Sequence, residues 1–268
     1  MNTTEQRPLI LISNDDGYHA PGLRFLADFL RPFAHVLICA PDGGRSGFSR
    51  AFSAVDPLTL RRRKNLDDLG EHVEVWSCSG TPVDCVKIAL DQLCTERKPD
   101  LILGGINHGD NSSVNSHYSG TMGIVLEGCM KYIPSVAFSL CDHHADADFE
   151  PMRPLVVSII ERVLKEGLPK GVCLNVNFPN LEPTAAYQGV RVCRMAMGRW
   201  VNETEKCHHV RGYDYWWMAG EYESDEPDAE DTDRWALNHG YVAITPTQID
   251  VTHYGIMQSL KEWDFVDK

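Results

Sequence analysis

Asn14-Asp15-Asp16-Gly17 follows closely on the aliphatic run Leu9-Ile10-Leu11-Ile12. A short apolar run bounded by turn residues has the pattern of a buried parallel strand. Two adjacent carboxylates at its end repel one another, and both stay ionised only if something positive compensates them. A divalent cation would do so, which makes the pair a candidate metal site at the edge of a sheet. The same four residues also suit a plain turn, so the motif alone leaves both readings open.

Two further clusters follow apolar runs in the same way: Pro41-Asp42-Gly43-Gly44-Arg45-Ser46-Gly47 and Gly105-Ile106-Asn107-His108-Gly109. In an open α/β sheet, ligands bind beyond the carboxyl ends of the strands. The three loops are therefore expected to share one crevice. They bring the carboxylates of Asp15 and Asp16, the hydroxyl of Ser46 and the amide of Asn107. Oxygen donors without thiolates suit Mg²⁺ or Mn²⁺ better than Zn²⁺. Taken singly, Ser46 and Asn107 are ordinary turn residues; only topology makes them a set. Tyr118-Ser119-Gly120-Thr121 opens a helix, where unpaired N–H groups and two hydroxyls could cradle a phosphate. An ordinary Ser N-cap is the plainer reading of Ser119. There is no Walker A sequence and no G-x-G-x-x-G, which removes support for nucleoside triphosphates and dinucleotides.

The elements that must position these groups alternate. Strands are expected near Leu9–Ser13, His35–Ala40, Leu58–Arg62, His72–Ser77, Asp100–Gly104, Ser135–Leu140 and Val172–Val176, and helices over Pro21–Leu30, Ser119–Tyr132 and Met152–Lys165. Another helix starts at Thr81-Pro82-Val83-Asp84, with Thr81 as N-cap and Asp84 closing a capping box. This order predicts an α/β fold: a Rossmann-like, three-layer parallel-sheet core over residues 1–185. Residues 186–268 read as an antiparallel extension that returns to the core, with strands at Gly189–Met195, Gly212–Ala219 and Tyr241–Thr245 and a short helix at Met257–Trp263. The ribbon of Tyr213, Tyr215, Trp216 and Trp217 exceeds what a lone hairpin can bury, so it packs on its own domain or, the favoured reading, on a second subunit.

Composition narrows the classes. The 268 residues are 43% hydrophobic and can bury a sizeable core. A formal charge of -13 argues against a nucleic-acid polymer as partner. The acidic run between Gly220 and Asp233 reads as a solvated loop. Nine scattered cysteines without Cys-x-x-Cys spacing suggest reduced thiols and a cytoplasmic location. The opening Met1–Pro8 has no leader pattern, and no apolar stretch reaches the ~20 residues that span a bilayer, so no membrane partner is expected. Cys141-Asp142-His143-His144 and Cys207-His208-His209 match no zinc spacing.

The chain resembles the SurE (survival protein E) family of metal-dependent nucleotidases. The resemblance runs nearly end to end, through Ser13–Leu23, Ala40-Pro41-Asp42 with Arg45-Ser46-Gly47, Gly80–Val86, Gly105–Gly109 and Tyr118–Thr121, then Leu174–Pro179, Asp231-Thr232-Asp233 and Gly240–Pro246. It implies hydrolysis of nucleoside 5′- or 3′-monophosphates and, in some members, of short polyphosphate. It implies one divalent cation per subunit, with Asp15, Asp16, Ser46 and Asn107 at the positions of the metal ligands. Asn14 and Ser119-Gly120-Thr121 fall at the phosphate-contacting region, and the C-terminal extension implies a homo-oligomer, dimer or tetramer. Asp15, Asp16 and Asn107 are the expected catalytic set. His108 is a weaker candidate for the general base than Asp15 or Asp16. Two rivals are a dinucleotide enzyme and a nucleotide-sensing protein without turnover. The loop Asp110–His117 and the acidic run have no role carried over.

Overall fold

The computed structural model describes residues 7–182, 185–263 and 265. The leader reading of the N-terminus concerns residues 1–6 above all, which lie outside these. The first part runs β1 (Leu9–Ser13), α1 (Pro21–Leu30), β2 (His35–Pro41), β3 (Leu60–Arg62), β4 (Val73–Cys78), α2 (Pro82–Gln92) and β5 (Leu101–His108). It continues with α3 (Gly120–Met130), β6 (Ser135–Leu140), α4 (Arg153–Glu166) and β7 (Val172–Phe178). The last third adds β8 (Val190–Val192), β9 (Gly198–Val201), β10 (Thr204–His208), β11 (Asp214–Met218), β12 (Glu221–Ser224), α5 (Asp233–Asn238), β13 (Val242–Gln248) and α6 (Tyr254–Lys261).

The central sheet has nine strands in the order β3-β4-β2-β1-β5-β6-β7-β13-β8. From β4 to β7 every pairing is parallel. Those six strands give the doubly wound order in which the direction of winding reverses between β1 and β5. Strand alternation decides which helix covers which face. Ile10, Ile12, Leu101, Leu103 and Phe138 pack with α1 and α4. Leu11, Ile102 and Ala137 point the other way, onto α2 and α3. Three layers result, and each fully buried aliphatic side chain stabilises them by roughly 1.5–3 kcal/mol. α3 packs beside α2 on the same face of the sheet and is buried from Gly120 to Cys129, with Glu127 paired to Lys87 of α2.

β5 runs past Gly104, where the expected strand ends, through Ile106 to His108. Its pairing with β6 shifts register between Gly104 and Asn107 and resumes at Asn107 opposite Ser139. α1 crosses that segment closely; a Cβ on Gly22 would sit 2.1 Å from the Ile106 carbonyl oxygen. Asn107 is thus part of a strand rather than of the loop beyond it.

The last third contains more regular structure than its sequence signals. β13 joins β7 antiparallel and β8 joins β13 parallel, so the central sheet continues past residue 186. Two ribbons stand beside it: β10 with β11, and β9 with β12. No residue of β9, β10 or β12 is fully buried. Without a buried face they show no apolar alternation, which is why the sequence did not reveal them. The acidic run is not a solvated loop throughout. It contains β12, and its counter-charges come from outside it: Arg199 pairs with Glu223 and Asp225, and Arg194 with Glu226 and Asp231. α6 begins three residues earlier than expected, where the His253 side chain accepts from the Ile256 N–H. The aromatic ribbon is not covered by its own chain; Trp216 and Trp217 are 57% and 62% exposed.

α2 starts as its sequence predicts. Thr81 Oγ1 accepts from the Asp84 N–H, and Asp84 accepts from the Thr81 N–H. The same hydroxyl donates to the Ala51 carbonyl at 2.7 Å. Thr81→Ala is expected to lower stability by about 1–2 kcal/mol, read as a lower urea midpoint with an unchanged slope; an unchanged midpoint would contradict the cap.

Candidate active site

β1 and β5 flank the point where the sheet reverses its winding, and their carboxyl ends carry Asp15-Asp16 and Asn107. The Asn14 side chain accepts from the Gly17 N–H and donates to the Gly17 carbonyl, closing the turn that presents both carboxylates. Asp15 is only 4% exposed. Its Oδ1 accepts a 2.8 Å hydrogen bond from Thr121 Oγ1, which lies 3.4 Å from Asn107 Oδ1. The Asn107 amide nitrogen donates to the His108 and Gly109 carbonyls, so its oxygen is the end turned toward Thr121 and Asp15. The first turn of α3 reaches the same carboxylate. A Cβ on Gly120 would lie 2.7 Å from that of Asp15, so only glycine lets the helix end approach this closely.

The electrostatics are those of under-compensated charge. Burial, then the charge of Asp16, pushes the Asp15 carboxyl up to about 6, against the Thr121 hydroxyl and the Gly120 N–H. Burial also raises Asp16. Asp16 Oδ2 is buried and has no hydrogen-bond partner among the described residues. His108 Nδ1 is 3.9 Å from it, but burial holds this imidazole below its usual range, so at neutral pH it offers no standing positive charge. Two raised carboxyls, an orphaned oxygen and an amide oxygen turned inward are donors that lack an electrophile. They fit a hard divalent cation. Among the described residues no three His, Cys, Asp or Glu side chains group as a metal site; the donor set here is two carboxylates completed by neutral oxygens.

The other expected residues are placed as follows. The Arg45 N–H donates to the Asp15 carbonyl at 2.6 Å, which brings the loop after β2 to the site. Ser46, the next residue, is exposed. Ser119 caps α3, its hydroxyl accepting from the Met122 N–H at 3.0 Å. Beside Asp15 and Ser119 lies a cavity of about 280 Å³ whose wall includes Asn111, Asn115, Tyr118 and Trp200. Asn115 and Trp200 did not stand out in the sequence. Asn115 sits in the loop whose role was open, and Trp200 comes from a strand without apolar alternation.

That loop is held from two sides. Asn111 is bonded by Asn175, Asn177 and Ser139, all on neighbouring strands. Asp233 of α5 accepts from the Ser113 and Ala196 N–H groups at 2.9 Å each. Arg234 donates to Asp110, which in turn receives Ser112 and Asn115. A larger cavity, about 820 Å³, opens at the ends of β6 and β7. Asp142, Asp146, Asp148 and Glu182 line it and, among the described residues, no Lys or Arg does, so it repels an anionic phosphate.

A carboxyl whose pKa is higher folded than unfolded favours the fold only while protonated. Stability of the metal-free protein therefore falls as pH rises from 3.8 toward about 6, and the loss is complete above that. For Asp15 the shift corresponds to roughly 3 kcal/mol. In excess chelator, the urea midpoint of the wild type is expected to fall across this window, and Asp15→Asn to flatten the fall. An identical pH profile in the variant would contradict the assignment.

The family profile described as "Survival protein SurE" matches residues 10–202. The 5′-nucleotidase SurE of Phocaeicola vulgatus is 54% identical over 260 residues, covering 97% of this chain and 98% of that protein. The 5′-nucleotidase SurE of Bacteroides fragilis is 49% identical over 259 residues, with 97% and 98% covered. The crystal structure of the SurE protein from Aquifex aeolicus superposes with a TM-score of 0.78 at 35% identity, covering 95% of this chain and 98% of that one. Sequence, fold and site agree, and the chain belongs to the SurE family.

Proposed function

We propose that this chain is a divalent-cation-dependent 5′-nucleotidase that releases phosphate from nucleoside monophosphates. Its relatives are named 5′-nucleotidases, which supports the nucleotidase part of this reading. The observation that supports the metal dependence is the Asp15–Asp16 pair, with Asp15 buried and Asp16 half-buried, its shielded Oδ2 unpartnered among the described residues. Asp15, Asp16, Asn107 and Ser46 would hold one cation, Mg²⁺ or Mn²⁺. When bound, it polarises a phosphoryl oxygen and makes a nearby water more acidic.

The chain's own residues supply the rest. Two carboxylates alone would repel a phosphate, so the site requires positive potential of its own. The N-terminus of α3 at Ser119-Gly120-Thr121 offers about half a positive charge, with the Gly120 N–H already turned to Asp15. Thr121 holds Asp15 in one orientation and spans toward Asn107, and the Asn107 amide oxygen is aimed by its two backbone contacts. Asn14 acts here by shaping the Asp15–Asp16 turn, with its amide engaged by Gly17. Water attacks the phosphorus in line with the leaving sugar oxygen, positioned by these groups rather than by a covalent intermediate. Asp15 or Asp16 accepts the water's proton and passes it on to the departing sugar oxygen, which leaves as the hydroxyl. Hydrolysis of 3′-monophosphates belongs to the same proposal, because the donors address the phosphoryl group and not the carbon that bears it. The dinucleotide alternative loses further ground: two carboxylates occupy the turn after β1 where a pyrophosphate would lie.

We also propose a homo-oligomer, dimer or tetramer, in which the exposed face of β10–β11 meets a second copy. A cytoplasmic location is proposed from the nine free cysteines. Among the described residues no helix is long and apolar enough to cross a membrane.

Phosphate release from the four common 5′-monophosphates, with Mg²⁺, Mn²⁺ or chelator, tests the activity. Asp15→Asn and Asp16→Asn are each expected to abolish the cation-dependent rate, and Asn107→Ala to lower it by about 10²–10³-fold, as for one lost oriented group. Full activity in chelator would refute the metal. Ser119→Ala should weaken phosphate binding by about 1 kcal/mol. Light scattering should give a mass at least double 30.1 kDa, and Trp216→Ser with Trp217→Ser should lower it. A wild-type monomer at micromolar concentration would end that proposal.

A further inference from the structure

On the nucleotidase reading, we propose that Trp200, with Tyr118, is the surface on which the base of the substrate stacks. The site would then select an aromatic nucleoside without reading which base it carries. The cavity that contains Asp15 and Ser119 also contains these two rings. At about 280 Å³ it lies near the lower end of the ~300–1,000 Å³ usual for ligand pockets. A phosphate seated at Ser119 leaves its sugar and base to lie along the same wall.

The Trp200 ring is built in rather than loose. Its Nε1–H donates to Asn115 Oδ1 at 2.8 Å. Tyr222 meets it edge to face, with centroids 6.3 Å apart and planes at 73°. Tyr222 is itself fixed: its hydroxyl lies 2.6 Å from Ser113 Oγ, and Arg234 sits over its ring at 4.5 Å. A half-buried indole so braced beside a phosphate site is pre-organised for stacking.

The same bonds argue against base reading. Trp200 has spent its one donor on Asn115. The Asn115 amide nitrogen is taken by Asp110 and that of Asn111 by Ser139. Discrimination between bases needs directional groups left free for their edges, whereas stacking tolerates every base because each has a π face. The wall offers the second and has committed much of what would supply the first.

Steady-state kinetics on AMP, GMP, CMP, UMP and ribose 5-phosphate tests this in wild type, Trp200→Ala and Trp200→Phe. Wild type is expected to use the four nucleotides within about ten-fold of one another and to prefer all of them to ribose 5-phosphate. Trp200→Ala should raise KM for the nucleotides by roughly ten-fold, more than it lowers kcat, and reduce the preference over ribose 5-phosphate by a similar factor. Trp200→Phe should restore most of the preference. An unchanged preference in Trp200→Ala overturns the proposal, since a structural role would lower both substrate classes together. So does a wild type that favours one base a hundred-fold. If wild type hydrolyses none of these, the nucleotidase reading fails by itself. Binding of adenosine followed by NMR then decides the stacking: binding lost in Trp200→Ala supports it, and equal or absent binding to wild type overturns it.

Discussion

Two carboxylates on consecutive residues, at the closed end of a strand buried on both faces, are the constraint around which this molecule is arranged. Asp15 cannot be solvated, because α3 and the sheet exclude water from it. It cannot be neutralised by a side chain either, since the groups that reach it are a hydroxyl and backbone N–H groups. Those dipoles offset part of the burial cost and leave the rest. The result is a site that is electrostatically incomplete in the protein alone, with Asp16 Oδ2 unpartnered. Such incompleteness is costly in a core, and it is tolerated where a ligand supplies the missing charge.

The rest of the architecture keeps that strained pair in one geometry. The winding reverses between β1 and β5, so no helix covers the carboxyl ends of these two strands from a direct crossover, and a crevice opens there. Gly120 brings the end of α3 against Asp15, and the register shift in β5 carries Asn107 into line with the pair. Side-chain hydrogen bonds then transmit position rather than charge: Asp15 to Thr121 to Asn107 on one side, Asn111 to Asn175 and Asn177 on the other.

The last third of the chain participates in the site. Asp233 is buried and ties residues 113 and 196 together through their backbone N–H groups, while Arg234 secures Asp110. Arg194 and Arg199 gather the acidic run against the ribbon that carries Trp200. These exposed ion pairs contribute little stability singly; their effect is to hold β9 and β12 in place beside the loop after β5. The large cavity at the ends of β6 and β7 has the opposite character: its acidic lining repels anions.

What was legible in the sequence was whatever rests on local rules. Leu9–Ser13, Pro21–Leu30 and Ser135–Leu140 could be read to the residue, because a buried strand or an amphipathic helix imposes its own period. The Thr81–Asp84 cap and the Ser119 cap were visible for the same reason: they act within three residues. Asp15, Asp16, Ser46 and Asn107 were grouped by the strand-end positions they share, and Ser119-Gly120-Thr121 by the helix start they form, with the family resemblance joining the two. The tertiary structure alone decided that Asn107 stands inside a strand and that Asn115 and Trp200 form part of the wall. It also decided that the acidic run finds its counter-charges more than twenty residues away. Each of these depends on pairings between distant segments with no apolar period of their own. Local sequence specifies a periodic, half-buried element, but a polar contact between two exposed segments leaves no trace in either until the fold brings them together.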